Sequence, residues 1–314
     1  MHDLVTVGEV LLRLSVPSPG RFETAHHLDV QFGGAEANVA AACARLGLRT
    51  AWLSAVPDND WGERVLRELG AHGIDCSFVI SFPGSRLGLY FLEYGVRPRP
   101  IRVLYDRRDS AFSRLTADII DWAPVRHASL VHVTGVTAAL GDNGRALVRR
   151  VFQEATEVSF DLNYRAALWS AEDSKQFALS VLPRVRYFFL GQTEAETVFG
   201  MTGSPEMILS SLSEMAPNAT IALLRGAQGS SVYDRGEIYQ PKVQHSINVV
   251  DPIGAGDAYV AGYLWASLQG RGTQDAIDIA ATVAALKCST WGDIAVIREQ
   301  DVIDALAGGP DVRR

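Results

Sequence analysis

Cysteine is scarce. The 314 residues hold three, Cys43, Cys76 and Cys288, far apart and without Cys-x-x-Cys spacing, so neither a disulfide framework nor a zinc site is supported. They read as reduced core thiols. Long apolar runs are also missing. None approaches the roughly 18 residues of a membrane span, and Met1-His2-Asp3 has no basic n-region of a secretion signal, so a cytoplasmic protein with no membrane partner is expected. Positive charge is in the minority: 29 Lys and Arg against 36 Asp and Glu give a formal net charge of −7. That balance argues against a nucleic-acid footprint and favours a small-molecule partner. Low-complexity stretches and internal repeats are absent. With 47% hydrophobic and 21% charged residues, the composition is that of a globular chain able to bury a large core.

Short β-branched or aromatic runs at 4–7, 50–56, 130–134, 158–161, 187–190 and 220–224 read as strands. Most are apolar throughout, which indicates a parallel sheet covered on both faces, since an exposed face would show polar alternation. Helices are expected at 35–46, 60–73, 142–155 and 171–181. The rhythm breaks at 22–32 and 88–105, which look like strands without helices between them, the second turning at Gly95-Val96-Arg97-Pro98. The expectation is an α/β body of 1–12, 33–85 and 110–314 with a discontinuous β lid of 13–32 and 86–109. Insertions of this kind close over a substrate site or decorate a surface.

Residues 246–250 read as a strand leading into Asp251-Pro252-Ile253-Gly254-Ala255-Gly256-Asp257 and then a long apolar helix. Glycines there let backbone N–H groups approach an anion, and the helix N-terminus adds positive potential. Asp257 lies in the first turn, where the dipole would keep its carboxylate ionised and able to take a proton from an attacking hydroxyl. Alone, the segment is equally a glycine connection with a helix-capping acid. It is not a P-loop, and Tyr259 stands where a dinucleotide fingerprint needs glycine.

A second glycine pair opens a helix near the N-terminus, Gly33-Gly34-Ala35-Glu36-Ala37-Asn38. The two signatures together resemble those of the ribokinase family, or PfkB-type carbohydrate kinases, over essentially the whole chain. The resemblance implies a ribokinase-like three-layer α/β fold with a small β-sheet lid, ATP and Mg²⁺ as cofactors, Asp257 as catalytic base, Gly254, Ala255 and Gly256 as the anion hole, and Gly33, Gly34 and Asn38 at the sugar. Asp161-Leu162-Asn163-Tyr164-Arg165 is similar to the family's Asp-x-Asn-x-Arg. Arg225-Gly226-Ala227-Gln228-Gly229 is similar to its nucleotide-binding turn, which assigns Asn163, Arg225, Gly226 and Gly229 to the nucleotide. The family's Asn-x-x-Glu reads Gly191-Gln192-Thr193-Glu194 here. Only Glu194 matches as a residue acting around Mg²⁺, and Glu196 is a close competitor.

Residues 97–108 hold five arginines and one acid in a chain that is acidic overall. Most would form a solvated edge that protects a strand from pairing. On an alternating strand Val103, Tyr105 and Arg107 share one face. The stretches 86–93, 105–107, Ser110-Ala111 and 286–293 resemble the branch of the family that phosphorylates 2-keto-3-deoxygluconate. This implies that Tyr90, Tyr105, Arg107 and Arg165 hold a sugar acid while Asp293 takes a hydroxyl. A kinase for fructose or 2-keto-3-deoxygalactonate, or a sugar-binding regulator without catalysis, remains open, as does a homo-oligomer formed through the lid.

Overall fold

Strands that are apolar on both faces need cover on both faces, and the computed structural model, which describes residues 1–95 and 98–308, provides it. Seven parallel strands run in the order Thr220–Leu224, Tyr187–Gly191, Val158–Asp161, Leu130–Thr134, Leu4–Val7, Thr50–Leu53 and Ile74–Asp75. Ser230–Asp234 and Glu237–Tyr239 extend the first edge antiparallel. Successive strand residues take opposite sides. Val5, Val131, Phe160 and Phe188 meet Leu147, Phe177 and Leu209 from the helices Asp142–Glu154, Ala171–Val181 and Pro205–Met215. Leu4, Leu130, Phe189 and Ala222 meet Val39, Val260 and Ile277 from Ala35–Arg45, Ala255–Leu268 and Thr273–Cys288. Ala255–Leu268 is apolar on all sides because it packs between its helical neighbours and the sheet.

The second sheet has four strands in the order Asp29–Gly33, Leu11–Ser15, Gly88–Glu93 and Arg102–Asp106, the middle pair parallel and the outer pairs antiparallel. The chain passes from the main sheet into this one over residues 8–10. The parallel body and the separate small sheet are the architecture expected from the sequence. Val96 and Arg97 of the expected turn lie outside the described residues, as do residues 309–314 at the end of the expected body.

Several local expectations are corrected. Residues 50–56 form two strands in different sheets, Thr50–Leu53 in the main one and Ala55–Pro57 paired with Ile80–Phe82. In 22–32 only Asp29 onward is strand, because Phe22–Thr24 forms a 3₁₀ turn whose Phe22 amide is held by Glu93. Residues 246–250 are not a strand. This segment runs along Thr273–Cys288, with His245 bonded to Thr282 and the Val250 amide donating to the Cys288 carbonyl, so its β-branched residues follow a helix instead of a sheet neighbour.

Candidate active site

In an open parallel sheet, ligands collect outside the carboxyl ends of the strands. A cavity of about 570 Å³ lies there, walled by strand-end residues Asp161 and Leu190 on one side and by small-sheet residues Leu11, Tyr90, Val103 and Tyr105 on the other. Its floor is the glycine turn before Ala255–Leu268. Gly254 holds φ +83°, and a Cβ there would fall 2.1 Å from the Asp293 carbonyl oxygen, so both backbone conformation and close approach demand glycine. Gly33 passes equally close to the Asp293 side chain, where a Cβ would lie 2.2 Å from Oδ2. The two glycine signatures are thus neighbours in space, 220 residues apart in the chain.

Asp257 lines the cavity. Its Oδ2 accepts a 2.7 Å hydrogen bond from Asn38 Nδ2, and Asn38 Oδ1 accepts from the Gly34 amide. Burial pushes the Asp257 carboxyl up to about 6, opposed by the Asn38 bond and the Arg165 charge. Desolvation thus outweighs the pull of the helix dipole, although a value of about 6 still leaves the carboxylate mostly ionised at neutral pH. The expectation for the Ala255 amide is corrected, since it donates to the Pro252 carbonyl at 3.2 Å. The Gly256 and Asp257 amides lie in the first turn, where no carbonyl precedes them in the helix.

Asp161, Asn163, Arg165 and Glu194 form the opposite wall. Asn163 adopts φ +41° because Asp161 takes both its amide and its Nδ2, each at 3.1 Å, and its own Oδ1 is buried without a partner. Glu194 accepts the Gly191 amide at 2.8 Å and the Tyr164 amide at 2.9 Å. Burial raises the carboxyls of both Asp161 and Glu194, and for Asp161 the Glu194 and Asp257 charges add to it. Arg165 lies 3.8 Å from Glu194. Glu196 instead lines an adjoining cavity of about 450 Å³ with Gln192, Thr193, Arg225, Gly226 and Gln228. The two cavities share Gly191 and Leu224. Gly229 closes the turn that shapes the second, its carbonyl accepting the Arg225 amide at 2.8 Å.

Tyr90 and Tyr105 are cross-strand partners with ring centres 6.1 Å apart, and Val103, Tyr105 and Arg107 all reach the cavity. Arg107 is not free, however. Its Nε and Nη2 both donate to Glu9 Oε2, the former at 2.9 Å. Asp293 is also engaged, by the Tyr90 hydroxyl at 2.7 Å and by Arg13. Arg13 is fully buried and bonds Asp251 at 2.7 Å and Ser15 at 2.8 Å, besides Asp293 and Tyr94. Beneath it the ammonium of Lys287, likewise buried, donates to the Asp251 carbonyl at 2.8 Å.

Glu9, Arg13 and Lys287 carry no role in the sequence reading. For the first two a signal existed: Glu9, Leu11, Arg13 and Ser15 alternate with Val10, Leu12 and Leu14, the period of a strand with one charged face.

A pfkB family carbohydrate kinase model matches residues 1–300. The chain is similar to the 2-dehydro-3-deoxygalactonokinase of Haloferax volcanii, at 36% identity over 98% of this chain and 97% of that protein. It is also similar to the 2-dehydro-3-deoxygluconokinase of Thermoproteus tenax, at 32% identity over 93% and 90%. The crystal structure of 2-dehydro-3-deoxygluconokinase from Thermotoga maritima superposes with a TM-score of 0.92 at 30% identity, covering 98% of this chain and all of that one. The chain belongs to the pfkB family and is an ATP-dependent carbohydrate kinase.

Arg13→Met leaves two carboxylates, one of them fully buried, without their shared cation. It should lower unfolding free energy by about 3–5 kcal/mol, measured by urea denaturation at neutral pH. A loss under about 1 kcal/mol would mean that the cluster does not hold the two sheets together.

Proposed function

We propose that the protein transfers the γ-phosphoryl group of ATP to the terminal hydroxyl of 2-keto-3-deoxygluconate, giving 2-keto-3-deoxy-6-phosphogluconate. The observation that carries this reading is one cavity holding a carboxyl raised to about 6, Asp257, at the mouth of a glycine-opened helix, with Arg107 and Arg165 on its other walls. Asp257 accepts the proton of the terminal hydroxyl as that oxygen attacks phosphorus. The Gly256 and Asp257 amides then receive the charge on the transferring group. A Cβ on Gly256 would enter open space, which is the room a phosphoryl group needs there. The adenosine part occupies the adjoining cavity beside Arg225 and Gly226, which places the γ-phosphate near Gly191, where the two cavities join.

Mg²⁺ fits the residues present as a partner of the nucleotide. Among the described residues Asn163 Oδ1 is a buried acceptor without a donor, and the repulsion that Glu194 and Asp257 exert on Asp161 would be relieved by a cation. Among the described residues no cluster of three or more ligating side chains exists, so phosphates and water would supply most of its ligands, with Glu194 ordering water. The ion would neutralise developing phosphate charge. Asn38 acts on the base and not on the sugar in this scheme, and Arg165, half-exposed between Glu194 and the cavity, bridges acceptor and phosphate.

The acceptor is a sugar acid because the small sheet directs Arg107 and Tyr105 into the cavity. A neutral ketose such as fructose would leave the edge of that guanidinium not held by Glu9 without an anion. The galactonate epimer is the second reading, favoured by the 36% identity to the Haloferax volcanii protein. An ATP-consumption screen over 2-keto-3-deoxygluconate, its galactonate epimer and fructose decides among them. Turnover is expected with the two acids, gluconate form preferred, and Arg107→Ala should raise the acid KM about tenfold or more; an unchanged KM removes the carboxylate-pairing argument.

The acid limb of kcat/KM should have an apparent pKa near 6, since Asp257 must be ionised to accept a proton and activity falls as pH drops through that value. Asn38→Leu removes a bond that favours the ionised form and should move the limb to higher pH. Asp257→Asn should cut kcat by about 10²–10⁴. A limb unmoved in the Asn38 variant would separate Asn38 from the base.

The outer face of the small sheet presents Val30, Leu14, Phe91 and Leu104 as one cross-strand row, with Val30 and Leu104 exposed. This row supports assembly of two copies through their lids. Light scattering is expected to give a dimer that Leu104→Asp dissociates; a monomeric wild type at micromolar concentration would refute it.

A further inference from the structure

The Arg107 guanidinium is a planar group with two usable edges. The Nε–Nη2 edge is spent on Glu9 Oε2, in a pair that is 8% exposed on the arginine side and 3% on the glutamate side. Among the described residues Nη1 has no protein acceptor, and Arg107 lines the cavity. The Tyr105 ring lies 5.8 Å from the guanidinium carbon and limits its tilt. Glu9 itself is well placed to act as a fixed point. Its carbonyl oxygen packs against Gly34, where a Cβ would lie only 2.1 Å away. Among the described residues its Oε1 has no hydrogen-bond partner, and both bonds to its Oε2 come from Arg107.

A carboxylate in a site for a carboxylate needs a reason, because its charge opposes the acceptor's. The reason is orientation. The same cavity contains Asp161, Glu194, Asp257 and Asp293, each able to draw an unrestrained guanidinium away. We propose that Glu9 is a positioning residue for acceptor specificity. It clamps one edge of Arg107 so that the Nη1–Nη2 edge meets the acceptor carboxylate as a two-bond fork. This rests on the sugar-acid reading above and adds to it a residue outside the sequence-assigned set.

The test is a double-mutant cycle in steady-state kinetics on the full chain, with 2-keto-3-deoxygluconate and ATP varied separately. Glu9→Gln keeps the shape and removes the charge. It should raise acceptor KM about tenfold with ATP KM within twofold of wild type. Arg107→Met should raise acceptor KM further, and the double variant should match Arg107→Met alone, because Glu9 acts only through that guanidinium. An acceptor KM that is unchanged or lowered in Glu9→Gln would overturn the proposal, as would effects that multiply in the double variant. If Glu9→Gln does not fold, Gly88→Ala carries the test. A Cβ there would stand 3.0 Å from Glu9 Oε1 and 3.1 Å from Arg107 Cβ, besides crowding Leu11. It should raise acceptor KM in the wild-type background and leave it unmoved beside Arg107→Met, and any other pattern counts against the clamp. Failure of the sugar-acid reading is seen separately, in the wild type alone, as preferred turnover of a neutral sugar.

Discussion

The arrangement depends on one buried cation. Arg13 leaves the small sheet with its side chain wholly inside the protein and meets Asp251, which opens the glycine turn, and Asp293, whose backbone presses on Gly254. Two carboxylates drawn this close would repel without a fixed positive charge between them. The guanidinium spans both because its donors lie in one plane and point in several directions. Tyr94 and the Gly292 and Ile253 amides also donate to Asp251, and Tyr90 donates to Asp293. The small sheet, the glycine turn and the Tyr90 hydroxyl are thereby set relative to one another.

Charge also explains the division of labour within the cavity. On the acidic wall burial raises the carboxyls of Asp161, Glu194 and Asp257, and at Asp161 the charges of the other two add to it. The wall beside the small sheet is different. Arg107 is held by Glu9 and Asp293 by Arg13, so each arrives already paired with an opposite charge from the short segment 9–13. Paired groups hold direction well and give up little free charge, which suits recognition of a small polar acceptor more than general attraction of anions.

The parts legible in the sequence were those with local signatures. Strands 4–7, 187–190 and 220–224 are largely apolar on both faces, which indicates a covered parallel sheet. The glycine turns at 33–34 and 254–256 announced close backbone approach. Residues 9–15 carried the alternation of a strand, yet Glu9 and Arg13 drew no functional reading, because a charge on a short apolar segment has no meaning until its partner is known. Those partners are Arg107 and Asp293, 98 and 280 residues away. The β-branched run at 246–250 misled for the complementary reason: propensity favoured a strand, but no sheet edge lay within reach and a helix did.

By itself the sequence determined the covered parallel sheet, the flanking helices and the two glycine turns, through local periodicity and the demand for close backbone approach, while the family was legible as a resemblance of the two glycine signatures. Tertiary structure alone decided which charges face which. It gave Asn38 to Asp257, Glu9 to Arg107 and Arg13 to two aspartates, and it raised Asp257 by burial where the helix end alone would have lowered it. Desolvation and pairing depend on distances across the fold, and those distances come into being only when the two sheets close on each other.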